Sequence, residues 1–250
     1  MKLWQKESNS LNEVTDFTTG NDQVWDLYLA KYDVLGSLAH IRMLESIGLL
    51  TEEELRVLSI ELKKIYASVE SGSFQLEAGV EDVHSQIEIL LTKALGDVGK
   101  KIHSGRSRND QVLLDTKLFL RAEIQSLVTA VRELFDLLIK QSEANKDKLL
   151  PGYTHLQLAM PSSFGLWFAA YAESLVDDMT TLQAAYQVVN KNPLGSGAGY
   201  GSSFPLNRKM TTDLLGFEDL NYNVVYAQID RKSTRLNSSH GGISRMPSSA

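Results

Sequence analysis

Seven apolar residues do most to limit what this chain can fold into. Leu113, Leu120, Ile124, Leu127, Val131, Leu134 and Leu138 are spaced 7, 4, 3, 4, 3 and 4 residues apart. That is a heptad seam held over more than three heptads. It predicts one helix from near Arg108 to about Glu143, roughly 50 Å long at 1.5 Å per residue. So long a helix needs partner helices along its whole length.

The segment Leu149-Leu150-Pro151-Gly152-Tyr153-Thr154-His155 breaks the pattern. Pro161 suits a first helical turn, where its missing N–H costs nothing. A second long helix is expected from there, with Phe164, Phe168, Tyr171, Leu175, Leu182, Ala185 and Val189 on one face and Asp178 at the missing seam position. Upstream, Leu29, Tyr32, Leu35, Leu38 and Ile41 fall at three-residue steps within a helix expected from Trp25 to Ile47. Thr51 precedes Glu54 by three residues, a capping box that opens a helix from about Glu52 to Ser71. A further helix is expected from about Val80 to Leu95. Residues 192–204 form a glycine-rich loop, and no stretch shows a two-residue strand period. The expected class is all-α: a small helical N-terminal region over residues 1–106, then the long helices of an incomplete multi-helix bundle over 107–229.

Residues 230–250 lose all apolar periodicity. Asp230-Arg-Lys-Ser-Thr-Arg-Leu-Asn-Ser-Ser-His240 reads as one frame of a widely used short-read sequencing adapter, and Ser244-Arg-Met-Pro-Ser-Ser-Ala250 as the segment after its index. The expectation is a non-native, translated-adapter tail that plays no part in the fold.

A net charge of −6 argues against non-specific nucleic-acid binding. With no cysteine, disulfides, thiolate metal sites and cysteine nucleophiles are all excluded. The N-terminus lacks a signal-peptide core. No apolar run reaches the roughly 20 residues that span a bilayer. The reading is a cytoplasmic protein without membrane or nucleic-acid partners.

Chemistry-bearing residues gather in four places. His103-Ser-Gly-Arg-Ser-Arg-Asn-Asp-Gln111 lies at the mouth of the first long helix. Two arginines offer forked donors for carboxylates, and the helix N-terminus adds free N–H groups. Equally open is a plain cap built on Ser107 or Asn109. His155, flanked by hydroxyls just before a long helix, suits acid/base work near neutral pH, although a lone histidine is more often structural. Glu81-Asp82-Val83-His84 opens a helix, where acids usually complement the dipole and His84 could simply be solvated. The glycine-rich loop lacks the strand–helix context of a phosphate loop. His40 and His240 are assigned no role.

Taken in order, these segments resemble the argininosuccinate lyases. His103–Val112 is similar to that family's first signature, with Glu81–His84 before it and Pro151-Gly-Tyr-Thr-His-Leu-Gln157 after it. Asp33-Val-Leu-Gly-Ser37 and Pro193-Leu-Gly-Ser-Gly197 also look like family segments. The resemblance covers residues 1 to about 229, the N-terminal half of a family chain. It implies elimination of fumarate from argininosuccinate to give arginine, without metal or organic cofactor. Arg108 and Asn109 would hold substrate carboxylate or amino groups, Thr154 and His84 would join them in binding substrate, and His155 matches the catalytic histidine. It also implies a homotetramer whose long helices form a central bundle. The family's serine-bearing loop and the carboxylate that pairs with the histidine lie beyond Ile229, so this chain is expected to be inactive as written. The alternatives are another lyase of the fumarase/aspartase superfamily and a non-catalytic, crystallin-like homologue.

Overall fold

The structure is a computed structural model that describes residues 22–77 and 79–229. The segment Thr18–Asp22 covers the region of the family's N-terminal substrate-binding serine, which the sequence does not place, and its residues 18–21 lie outside the described residues, as does the tail 230–250. The described chain is predominantly helical. Its helices are α1 (Asp22–Asp26), α2 (Ala30–Ser46), α3 (Glu52–Glu70), α4 (Val83–Leu95), α5 (Asp97–Lys100), α6 (Arg108–Ala144), α7 (Phe164–Val189), α8 (Arg208–Leu214) and α9 (Tyr226–Ile229), with 3-10 turns at Leu27–Leu29 and Lys101–His103. Four short strands are β1 (Leu149–Thr154), β2 (Gln157–Ser163), β3 (Lys191–Asn192) and β4 (Asp219–Leu220). Among the described residues no helix is long and apolar enough to cross a membrane.

Contacts divide the chain into two compact units. One comprises the residues up to Phe119 together with those from Asn190 onward, and the other is Leu120–Val189. The division falls inside α6.

In the first unit, α2, α3 and α4 enclose a core of Val34, Ile41, Leu44, Leu58, Leu62, Ile65, Ile87 and Leu91. The capping box forms as expected: Glu54 N donates to Thr51 Oγ1 at 3.2 Å and Thr51 N donates to Glu54 Oε2 at 3.0 Å. The helix expected from Val80 starts three residues later, because Asp82 takes the N-cap and accepts from Ser85 N at 2.8 Å. The expected helix Trp25–Ile47 is broken by the Leu27–Leu29 turn. Its core face is Ala30, Val34, Ser37, Ile41 and Leu44, in alternating steps of four and three. Leu35 is 37% exposed, since unbroken three-residue steps drift around a 3.6-residue helix. Strands β3 and β4 pair in parallel, Lys191 with Asp219 and Asn192 with Leu220.

In the second unit, the later turns of α6 run antiparallel to α7. Gln125 Nε2 donates to the Tyr186 hydroxyl at one end, and Ser142 Oγ donates to Gly165 O at the other. The absence of strands expected from sequence does not hold. β1 and β2 form an antiparallel hairpin with Pro151 opposite Pro161 and Thr154 opposite Gln157. Pro161 therefore lies in a strand, and α7 begins three residues later at Phe164.

Candidate active site

The loop Ser104–Ser107 feeds α6, and its end is capped from both sides. Asn109 N donates to Ser107 Oγ at 3.2 Å, and Ser107 N donates to Asp110 Oδ1 at 2.9 Å. The capping reading of this segment is therefore correct for Ser107. The second oxygen of Asp110 accepts from Gly195 N and Gly197 N, both at 2.9 Å. The glycine-rich loop thus folds onto a buried carboxylate. Gly195 has φ +86°, and a Cβ there would come within 2.8 Å of the Arg208 side chain. Burial pushes the Asp110 carboxyl above its usual pKa, and the three N–H donors pull against that shift.

Behind the mouth lies a buried polar layer. Arg106 donates from Nη1 to Ser37 Oγ at 3.1 Å. Gln111 Nε2 donates to Asp33 Oδ2 at 2.6 Å. Gly36 keeps α2 close to α6: a Cβ there would sit 2.6 Å from Leu114 Cδ2. Asp33 and Asp115 are both fully buried, and burial raises both carboxyls, Asp33 to about 6 and Asp115 well above its ordinary range. Two adjacent buried carboxyls cannot both ionise cheaply, and Arg106 opposes the rise in both. Further along α6, buried Lys117 donates to Lys191 O at 2.9 Å and Asn221 Oδ1 at 2.7 Å, tying the helix to β3 and the segment after β4.

The expected substrate-binding residues Arg108, Asn109 and His84 come together at this end of the first unit. Arg108 forms ion pairs with Asp82 and with Glu81, the latter at 3.5 Å. Asp82 is therefore both a helix cap and an arginine partner. His84 is not solvated: it is 4% exposed, with Nδ1 3.9 Å from Asp33 Oδ2. Burial first, then Arg106, His103 whenever it is protonated, and Arg108 hold its pKa down to about 2, so the ring is neutral. Arg106 was expected with Arg108 as a carboxylate donor, but it is buried and bonds Ser37; no role was assigned from sequence to Asp110, Asp33 or Asp115. The only sequence signal for them is the pairing of Asp33 with Ser37, and of Gln111 with Asp115, at four-residue helical spacing.

Thr154 and His155 belong to the second unit. His155 does not directly precede a helix. It and Leu156 form the two-residue tip of the β1–β2 hairpin, with φ +48° and +64°. Both lie in the left-handed region that non-glycine residues seldom adopt. Thr154 and His155 are exposed, and Leu156 is 99% exposed. Strained backbone of this kind clusters at active sites, ligand clamps and switch regions.

The lyase family, described simply as Lyase, matches residues 9–232. The chain is 70% identical over 230 residues to the argininosuccinate lyase of Parabacteroides distasonis, covering 92% of this chain and 52% of that protein. It is 69% identical over 236 residues to the argininosuccinate lyase of Bacteroides thetaiotaomicron, covering 94% and 53%. An EDDS lyase solved in complex with formate superposes with a TM-score of 0.71 at 29% identity, covering 81% of this chain and 40% of that one. The chain spans about half the length of the curated relatives it matches. By the extent of the family match and the helical fold that carries it, the chain belongs to the lyase family of the fumarase/aspartase superfamily.

Proposed function

We propose that the protein to which this chain corresponds is an argininosuccinate lyase. The observation that carries this reading is 70% identity to an enzyme of that name, across a span that contains the braced helix mouth at Arg108–Asn109 and the hairpin tip at Thr154–His155. In the reaction a base removes the proton beside a substrate carboxylate. The resulting carbanion-like intermediate expels the guanidinium nitrogen, the C–N bond breaks, an acid protonates the nitrogen, and fumarate and arginine leave. A substrate with several carboxylates needs preorganised donors, and Arg108 and Asn109 of the first unit and Thr154 of the second supply them in this reading, with His84 near Arg108. His155 serves the proton transfers. The apolar faces on α6 and α7, including Leu127, Leu134, Leu166, Trp167 and Tyr171, are exposed in the single chain. They support assembly into a homotetramer, and the proposed location is the cytoplasm.

The experiment is fumarate release from argininosuccinate, followed by absorbance, with the full-length protein. Turnover is expected with argininosuccinate and not with aspartate or adenylosuccinate. His155→Asn should lower kcat about 10²- to 10⁴-fold with the assembly unchanged. Turnover of another substrate in preference would overturn the reading. The 250-residue chain alone is expected to show no activity in the same assay.

A further inference from the structure

His84 and Glu88 lie four residues apart on α4, which places them one above the other on one helix face. His103 closes the 3-10 turn after α5, and its ring centroid is 5.4 Å from that of His84. The ligand-capable atoms of the three side chains all lie within 4.8 Å of one another. Yet none bonds another: His103 Nδ1 stands 3.8 Å from Glu88 Oε2, beyond hydrogen-bond range. His84 Nε2, Glu88 Oε2 and His103 Nδ1 are each buried without a hydrogen-bond partner. Buried polar atoms are rarely left in this state. Three of them converging on one point call for a common partner.

We propose that His84, Glu88 and His103 form a binding site for a divalent transition-metal ion of the zinc type. Two imidazoles and a carboxylate are a donor set for such an ion when no thiolate is available. Zinc–nitrogen bonds of about 2.0–2.1 Å put neighbouring ligand atoms roughly 3.4 Å apart in a tetrahedral site. A small rotation of His103, which is half-exposed on its turn, closes the gap from the present spacing. The surroundings supply the usual outer partner too. The far nitrogen of His84, Nδ1, faces Asp33, whose carboxylate is held in turn by Gln111. A carboxylate behind a ligating histidine fixes the ring and strengthens it as a ligand. Arg106 lies close enough to repel a cation, and Glu88 and Asp33 offset it. The ion would pin α4 to the turn that leads into Arg106–Asp110. It would clamp the loop at the helix mouth through His84, a residue that the resemblance places at the substrate, and its test reads metal binding and not turnover, so the test does not depend on which substrate the protein cleaves.

The test is calorimetric titration of Zn(II) into the chelator-stripped 250-residue chain, counted per chain, with Co(II) absorption as a probe of coordination. One ion per chain is expected, with a rise in Tm. His103→Asn and Glu88→Gln should each weaken binding about tenfold or more and abolish the Co(II) ligand-field bands, while His155→Asn leaves both unchanged. Circular dichroism checks the fold, and His103→Asn, on a half-exposed turn, decides alone if Glu88→Gln unfolds. A flat titration would overturn the proposal. So would equal affinity in the wild type and His103→Asn, which would place any bound metal elsewhere.

Discussion

Asp110 makes its case through numbers of donors. A carboxylate that accepts from Ser107, Gly195 and Gly197 is an anchor shared by two separate loops. Asp110→Ala should destabilise the chain by about 3 kcal/mol or more, since each stranded buried N–H costs about 1–3 kcal/mol. Urea unfolding checks this, and Asp110→Asn, which keeps an acceptor, should cost less. His40 gives a test by pH. Burial first, then Arg106, holds its pKa down to about 3, although Nε2 bonds Ser104 O at 2.9 Å. The folded pKa lies below the unfolded value of 6.5, so the unfolded chain binds more protons between those limits. Stability is then full above pH 6.5 and is lost as pH falls toward 3. His40→Gln should flatten the unfolding free energy against pH by up to one proton across pH 6.5 to 4. At this scale the sequence was a partial guide. Arg108 and Asn109 stood out by type and position. Asp33 and Asp115 did not, and Arg106 stood out as an anion binder and not as a buried charge, because a buried charge has no local signature and is recognised only when its partners, far away in sequence, are in place.

Among the elements, the two long helices and the capping box at Thr51 were legible because each rests on a repeat or a reciprocal pair within a few residues. The β1–β2 hairpin was not. Its strands carry two prolines and no alternation, and its tip has His155-Leu156 where a turn of this kind normally has Asn-Gly or Asp-Gly. The missing glycine hid the turn and now offers a way to test it. Leu156→Gly removes a side chain that is almost wholly exposed and relieves its left-handed backbone. A gain of about 0.5–1 kcal/mol in unfolding free energy is expected, set by the left-handed penalty less the entropy of glycine. If the strain aims the imidazole, the same variant in the full-length enzyme should lower kcat while raising Tm.

At the level of the whole molecule, the chain leaves long apolar faces on α6 and α7 in water, with a groove of about 410 Å³ lined by Ile124, Val128, Met179 and Leu182 among others. Faces of this size mark association or aggregation. Sedimentation velocity of the 250-residue chain should show self-association, and Trp167→Glu should weaken it about tenfold or more if that face carries it. We further propose that residues 230–250 are not native to the protein. Deleting them should leave the unfolding free energy within about 0.5 kcal/mol. The anchor at Asp110 has a last consequence, in the order of synthesis. Its donors at Gly195 and Gly197 lie 85 and 87 residues downstream. A nascent chain must therefore carry one oxygen of this carboxylate, and the helix mouth that it braces, without those donors through the making of the entire second unit. That interval is when a growing polypeptide most needs shelter from proteases and neighbours, and a ribosome halted before Gly195 should yield a helix mouth that is readily cut.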